Sequence, residues 1–147
     1  MNSKLPQVGA FMAGVALAVP AFASTSAHLP LEYKAGTVSY MSGGIGSREA
    51  KAMKAAENRY DLALEFVKRA KPKDEYLADI SVTVKDKSGK MVLDTRSDGP
   101  FLLADMPAGK YTIVADYAGH KLTRTAEVMS RHHEQLVFLW PEKTEKM

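Results

Sequence analysis

Apolar and polar positions alternate through the second half of the chain, most clearly after a turn with proline and glycine at 106–109. The two alternating sets are Tyr111, Ile113, Ala115 and Tyr117 on one side and Thr112, Val114 and Asp116 on the other. Proline fixes φ and glycine tolerates positive φ, while aromatic and β-branched residues favour an extended chain. The stretch 105–119 is therefore predicted to form the core hairpin of a β-sandwich.

The same two-residue period continues on both sides of this hairpin. Ile80, Val82 and Val84 alternate with polar residues, and a hairpin turn follows at 86–89. The predicted strands are at 80–84, 91–95, 101–104, 121–128 and 135–140. Because turn signals recur about every 8 to 12 residues, the pattern indicates a sandwich or barrel, with Trp140 expected to fill its core.

Helical spacing interrupts this alternation in the first part of the chain. The predicted elements there are strands at 37–41 and 62–67 and a helix at 47–60 between them. The glycine-rich stretch 42–46 ends the first strand, and Ser47 is a suitable N-cap for the helix. Glu49 lies in the first helical turn, where its charge complements the helix dipole.

The first 23 residues have the composition of a secretory signal peptide. Lys4 supplies a positive start, 11–19 is an apolar run, and 21–23 (AFA) is an A-x-A-like cleavage site, with cleavage after Ala27 as the alternative. The apolar run is shorter than the roughly 20 residues that span a bilayer, so a retained anchor is the weaker interpretation. We therefore expect a periplasmic or secreted bacterial protein with no stable membrane span after cleavage.

Charge and cysteine content exclude several classes of function. Loss of Lys4 with the leader leaves 19 basic against 17 acidic residues, a net charge of +2. The basic residues between 51 and 73 are typical of a solvated surface, and without a basic stripe nucleic acid is not an expected partner. The chain has no cysteine, which excludes disulfides, thiolate metal ligands and thiol redox chemistry.

Three short motifs lie within residues 79–128. They are V-x-V-x-D-x-x-G at Val82, Val84, Asp86 and Gly89, a Ser-Asp-Gly turn at Ser97, Asp98 and Gly99, and L-x-x-M-P-x-G-x-Y-x-I at Leu103, Met106, Pro107, Gly109, Tyr111 and Ile113. With these motifs the segment resembles the carboxypeptidase regulatory-like family, and the whole chain resembles small exported proteobacterial proteins that carry this domain.

This resemblance implies a transthyretin-like (prealbumin-like) sandwich rather than an enzyme. In the metallocarboxypeptidases the domain is an accessory to a separate zinc domain, and that zinc domain has no counterpart in this sequence. The resemblance gives its motif residues a structural role, not a catalytic one. These residues are Asp98, Gly99, Pro107, Gly109 and Tyr111.

Taken together, the patterns predict a mainly β protein with a small α/β lead-in. Its fold is expected to be an antiparallel, prealbumin-like (Ig-like) β-sandwich preceded by one helix. The expected segments are a signal peptide at 1–23, a flexible N-terminal arm at 24–36, a strand–helix–strand lead-in at 37–70, the sandwich at 76–141 and a tail at 142–147. The lead-in is too short to bury a core of its own, so we expect it to pack on the sandwich.

The histidines offer the main alternative interpretation, a metal site. His132 and His133 would face opposite ways in a strand but could converge in a turn. If cleavage followed Ala27, the amine and imidazole of His28 would form a Cu(II) ligand set that either of them could complete. A polar corner between strands is the simpler interpretation, so no metal or other cofactor is expected.

The remaining polar clusters have structural interpretations. The glycine loop at 43–47 opens a helix and could hold phosphate, but it lacks the Lys-Ser/Thr ending of a P-loop. Ser42 and Ser47 do not match G-x-S-x-G, so no nucleophile is assigned. The aspartates lie at strand ends and turns without a calcium-loop motif, and the methionines do not cluster as copper(I) ligands do. These residues are Asp79, Asp86, Asp94, Asp98, Asp105, Asp116, Met41, Met91, Met106 and Met129.

Function is expected to be binding rather than catalysis. Tyr111 and Tyr117 share one strand face and would stack on sugars if that face were the outer one, and Tyr33, Tyr40 and Tyr76 lie near segment ends. We expect a non-catalytic exported module that binds a protein, peptide or glycan partner in the periplasm or envelope. Binding would use a free strand edge or the loops. The alternative is a copper or zinc handling protein that uses the three histidines named above.

Overall fold

A computed structural model describes residues 29–144 of the chain. The predicted signal peptide, the start of the arm and His28 lie outside these residues. In chain order the elements are β1 (Tyr33–Ala35), β2 (Val38–Gly43), α1 (Ser47–Ala56), β3 (Leu62–Lys68), β4 (Glu75–Tyr76), β5 (Ile80–Asp86), β6 (Met91–Ser97), β7 (Phe101–Asp105), β8 (Gly109–Tyr117), β9 (His120–Val128) and β10 (Glu134–Trp140). The expected fold class, a mainly β protein with a β-sandwich and one helix, is confirmed.

Two sheets form the sandwich. Sheet A has the order β1–β2–β7–β3–β10, with β4 beside one end of β3, and sheet B has the order β6–β5–β8–β9. Neighbouring strands are antiparallel except β3 and β10, which run parallel with Leu62 opposite Glu134. The segment 37–70 is therefore not a separate lead-in that packs on the sandwich. It is part of the sandwich, because β2 and β3 flank β7 within sheet A.

The stretch 105–119 is not the expected hairpin. β7 belongs to sheet A and β8 to sheet B, so the turn between them carries the chain from one sheet to the other. β8 pairs with β5 and β9 instead. A turn with proline and glycine before an alternating strand looks the same for both connections, because local sequence does not specify which strands pair.

The inward faces of both sheets form the main core. Ile80, Val82 and Val84 are fully buried there, as the alternation predicts. Trp140 is 1% exposed, which confirms that it fills the core. Its indole N–H donates a hydrogen bond to the carbonyl of His120 at 3.0 Å, and its ring lies 6.4 Å from that of Phe66 between centroids. This bond satisfies the one polar group of a large apolar side chain.

The helix covers the opposite face of sheet A. A second buried cluster joins α1 to this face; its members are Met41, Met53, Ala56, Ala63, Phe101 and Leu103. Sheet A is therefore covered on both faces, which explains why four consecutive residues at 101–104 are all buried. The molecule has three layers, in the order α1, sheet A and sheet B.

The start of α1 differs from the sequence prediction. Gly46, not Ser47, is the N-cap residue, and no side chain caps the helix there. Glu49 reaches back instead, and its Oε1 accepts a hydrogen bond from the N–H of Gly44 at 2.8 Å. The α-helix ends at Ala56, and a 3-10 turn at Glu57–Arg59 completes the segment that was expected to be helical.

The described part of the N-terminal arm is ordered into sheet A. Residues 33–35 form β1, which pairs with β2 so that Tyr33 lies opposite Tyr40. The two tyrosine rings are 5.9 Å apart between centroids. Across residues 29–144, no helix has both the length and the hydropathy required to cross a bilayer.

Candidate binding surface

The Ser-Asp-Gly turn joins the two layers of strands by close packing. The hydroxyl of Ser97 is buried and donates to the carbonyl of Gly99 at 2.7 Å, while the N–H of Asp98 donates to Ser42 Oγ at 3.2 Å. A Cβ on Gly99 would lie 2.4 Å from the carbonyl oxygen of Gly43. These contacts support a structural role for Gly99, whereas Asp98 contributes its main-chain N–H and has an exposed side chain.

Tyr111 holds the turn that precedes β8. Its hydroxyl donates to the carbonyl of Pro107 at 2.5 Å, and its ring lies 3.7 Å from where a Cβ on Gly109 would be. The side chain is buried, and this burial raises the pKa of the Tyr111 hydroxyl. The bond has the form of a tyrosine corner, in which a phenol hydroxyl fixes main chain a few residues upstream.

The adjacent histidines are not brought together with further ligands. His133 Nδ1 lies 2.9 Å from the carbonyl oxygen of Tyr60, so this nitrogen donates its proton and is not free to bind a metal. His132 is exposed, and its main-chain N–H donates to Met129 at 3.2 Å. Within residues 29–144, no three His, Cys, Asp or Glu side chains are grouped to hold a metal ion, and His28 lies outside this range.

In the glycine loop before α1, a main-chain N–H that could bind a ligand is already bound by a side chain of the protein. The Glu49 carboxylate binds the N–H of Gly44, the kind of donor that a bound phosphate would need. Gly44 has φ +103°, and a Cβ there would lie 2.4 Å from the ring of Phe101. Close packing and backbone conformation therefore account for the glycines.

Several aspartates serve the main chain at turns. Asp86 Oδ1 accepts bonds from the N–H of Ser88 at 2.9 Å and of Lys90 at 3.0 Å, and a bond from the Ser88 hydroxyl at 2.6 Å. The Ser88 hydroxyl is the main cause that lowers the pKa of Asp86. Asp116 Oδ1 likewise accepts from the N–H of Gly119 at 2.9 Å. Turn formation, not calcium binding, explains these side chains.

Two aspartates each accept a main-chain hydrogen bond from the segment of the other, an arrangement that the sequence does not indicate. Asp105 Oδ1 accepts the N–H of Asp61 at 2.9 Å, and Asp61 Oδ2 accepts the N–H of Met106 at 3.2 Å. Burial, followed by the charges of Asp61 and Glu32, raises the pKa of Asp105. Burial and a hydrogen bond to Glu32 raise the pKa of Tyr60 to about 12. The only signal in the sequence is the position of both aspartates at strand ends.

The tyrosine face of β8 points into the core. Tyr111 is buried, and Tyr117 is half-buried with its ring in edge contact with Trp140 at 5.8 Å. These two rings therefore do not form an exposed sugar platform. Tyr33 and Tyr76 are the exposed tyrosines of residues 29–144, at 54% and 49%. The methionines are also separated, because Met41 and Met106 are buried whereas Met91 and Met129 are exposed.

Side chains close the sandwich where β9 meets β10. Glu134 Oε2 accepts the N–H of Glu127 at 2.9 Å, and Arg124 donates to the carbonyl of Val137 at 3.2 Å. The indole of Trp140 makes a third link, to His120. These bonds use main-chain groups of both edge strands, so this corner has fewer groups to offer another chain.

The outer edge of β6 has no such cover. β6 pairs with β5 at residue 91 and at 93–97, with a register shift that leaves Val92 without an opposite residue, and it pairs with no other strand. Within residues 29–144 no side chain bonds its main chain over 91–96. A weak hydroxyl contact, Thr95 to Tyr40 at 3.4 Å, links this edge to sheet A. Met91, Asp94 and Arg96 are exposed along it. Alternate N–H and C=O groups of an edge strand point outward, so β6 can pair with an added strand.

Comparisons with known proteins add no relative to this picture. No protein-family model and no curated protein matches the chain. The likeness of residues 79–128 to the carboxypeptidase regulatory-like family therefore stays a prediction from motifs. The free edge of β6 and the exposed side chains beside it are the features from which a function can be argued.

Proposed function

We propose that this protein is a non-catalytic, exported β-sandwich module that binds an extended protein or peptide segment in the bacterial periplasm or envelope. The segment would add as a strand to the outer edge of β6. The observation that carries the proposal is the seven-residue length of this edge, paired on one side only. The edge strand of sheet A at β1 has three residues, too few to bind a partner firmly.

Main-chain pairing would supply affinity, and exposed side chains would supply specificity. In strand addition, alternate side chains of the incoming strand meet the residues beside the edge. On β6 these residues include Met91, which is 49% exposed, and the exposed Asp94 and Arg96. Arg96 already pairs with Asp79 at 3.6 Å, so Asp94 is the charge of this edge that would favour a basic side chain on the partner.

Several polar side chains that could perform chemistry already bind main-chain groups. Asp61, Asp86 and Asp105 accept main-chain hydrogen bonds, and His133 binds a main-chain carbonyl. Each of these bonds supports a turn or a junction between strands. This distribution is compatible with the proposed binding role.

Site-specific photo-crosslinking in cells tests the proposal. A benzophenone amino acid at Asp94 lies on β6, and the matched control at Thr123 lies on β9; both positions are exposed strand residues of sheet B. We expect irradiation of the envelope to yield a protein adduct from position 94 and none from position 123. Equal adducts from both positions, or none from position 94 under several growth conditions, would contradict binding at β6.

Amide hydrogen exchange tests the mode of binding. A peptide of the crosslinked partner, added to the purified protein, should slow exchange at outward-facing amides of β6. The amides of β9 should exchange unchanged and serve as the internal control. Protection confined to the turns at 86–89 and 106–109 would place the site at the loops instead, and a glycan that gives this result would replace the peptide proposal.

A further inference from the structure

The solvent-facing side of α1 and the following 3-10 turn carries one sign of charge. The exposed residues of this segment are Ser47, Arg48, Lys51, Lys54, Ala55, Asn58 and Arg59. Four are cations and none is an acid. The two acids of the segment, Glu49 and Glu57, are half-buried, and Glu49 is bound to the N–H of Gly44. The four positive charges of this cationic face exceed the net charge of the whole chain, which is +3.

None of the four cations forms an ion pair within residues 29–144. The ion pairs of this part of the chain join Lys68 to Glu75 at 3.7 Å and Arg96 to Asp79 at 3.6 Å. The Lys54 ammonium lies over an aromatic ring instead, 5.5 Å from the ring centre of Tyr76. The carboxylates of Glu57 and Glu65 also act electrostatically on Lys54. Arg48 and Lys51 are therefore the cations of α1 that are exposed without an ion pair or a cation–π contact within residues 29–144.

One exposed aliphatic side chain lies beside the start of this face. Ile45 is 64% exposed in the loop before α1. The strand before this loop packs against the start of the described chain, since a Cβ on Gly43 would lie 2.6 Å from Pro30 Cγ. Leu29 packs against the buried cluster under α1.

We propose that this face is a peripheral binding surface for an anionic phospholipid bilayer. Lysine and arginine next to such a bilayer each raise the partition coefficient about fivefold. Exposed aliphatic residues beside a cationic helix insert into the boundary between headgroups and acyl chains, a contact that needs no shaped pocket. The bilayer would hold the sheet A side of the molecule through Arg48, Lys51 and Ile45. β6 lies at the edge of sheet B, so this inference does not depend on the proposed function.

Vesicle binding tests this inference on the full exported chain. The variant R48Q/K51Q is compared with K85Q/K121Q, which removes two exposed lysines from sheet B, the sheet remote from α1. On phosphatidylglycerol–phosphatidylcholine vesicles at low salt, we expect R48Q/K51Q to weaken binding roughly 25-fold and K85Q/K121Q less than about threefold. I45S should weaken binding roughly fivefold without changing net charge.

Vesicles of phosphatidylcholine alone provide the second control. The wild-type chain should bind them much more weakly, and salt should release it from the anionic vesicles. Equal loss for R48Q/K51Q and K85Q/K121Q, equal binding to both kinds of vesicle, or no binding to anionic vesicles would overturn the inference. A crosslink from position 51 to an acidic protein, with no vesicle binding, would assign this face to a protein partner instead.

Discussion

Replacing Gly99 by alanine tests whether close main-chain packing holds β2 against the turn at 97–100. The added Cβ would lie 2.4 Å from the carbonyl oxygen and 2.5 Å from the carbonyl carbon of Gly43. Real Cβ atoms essentially never approach within 3.0 Å, so the two main chains must separate by at least about 0.6 Å. Both atoms belong to the main chain, so a side-chain rotation cannot relieve the contact.

The cost follows from what that displacement breaks. Overpacking of a tight interior contact costs about 1 to 3 kcal/mol. The hydrogen bond from the Asp98 N–H to Ser42 Oγ lies in the same contact, and its loss adds about 1 kcal/mol. We therefore expect Gly99→Ala to lower the free energy of unfolding by about 2 to 4 kcal/mol. That is a large fraction of the roughly 5 to 15 kcal/mol typical of a domain.

Gly109→Ala is the matched control. Neither glycine has a positive φ, and a Cβ on Gly109 meets the Tyr111 ring at 3.7 Å, an ordinary contact. Because alanine reduces the freedom of the unfolded chain, Gly109→Ala should be neutral or stabilise by up to about 1 kcal/mol. Urea unfolding followed by the fluorescence of Trp140, the single and buried tryptophan, measures both variants. Equal midpoints for Gly99→Ala and the wild type would refute the packing argument.

Substitutions at three further positions test other contacts by the same titration. Tyr111→Phe removes the hydroxyl bond to Pro107 and should cost about 1 kcal/mol, and no loss would show that the turn holds without it. Glu49→Ala should cost about 0.5 to 2 kcal/mol whereas Glu49→Gln, which keeps an acceptor for Gly44, should cost less; equal losses would argue against this bond. The pKa of Asp105 is raised on folding, so its ionisation lowers stability as pH rises through that pKa. Asp105→Asn should therefore gain stability relative to the wild type as the pH rises above about 4, the ordinary pKa of an aspartate, and a constant difference would contradict this.

Much of sheet B is predictable from the sequence because its strands have one solvent-exposed face and one buried face. Ile80, Val82 and Val84 alternate with exposed or half-buried residues, so the two-residue period is visible in the sequence. The turn at 86–89 is also visible, since Asp86, Ser88 and Gly89 carry its hydrogen bonds locally. In these segments the physical cause of the structure lies within a few neighbouring residues.

Sheet A is harder to predict because α1 covers its second face. The run at 101–104 has no alternation, and nothing in it indicates that β2 and β3 lie on either side. The Asp61–Asp105 pair depends on residues 44 apart, and the bond of His133 to Tyr60 on residues 73 apart. Contacts at such separations arise from topology. The open edge of β6 and the cationic face of α1 likewise become visible only when the layers are assembled.

The parallel pairing of β3 with β10 has a consequence for when the protein can fold. Leu62 aligns with Glu134, so β3 cannot complete its pairing until residues 72 positions later in the chain have been synthesised. Until those residues emerge, Phe66 lacks the aromatic neighbours Phe138 and Trp140, and the nascent chain has an incomplete interior. Distant pairing of this kind slows folding and keeps a chain unfolded for longer. A polypeptide that must be threaded through a narrow channel before it folds would benefit from that delay.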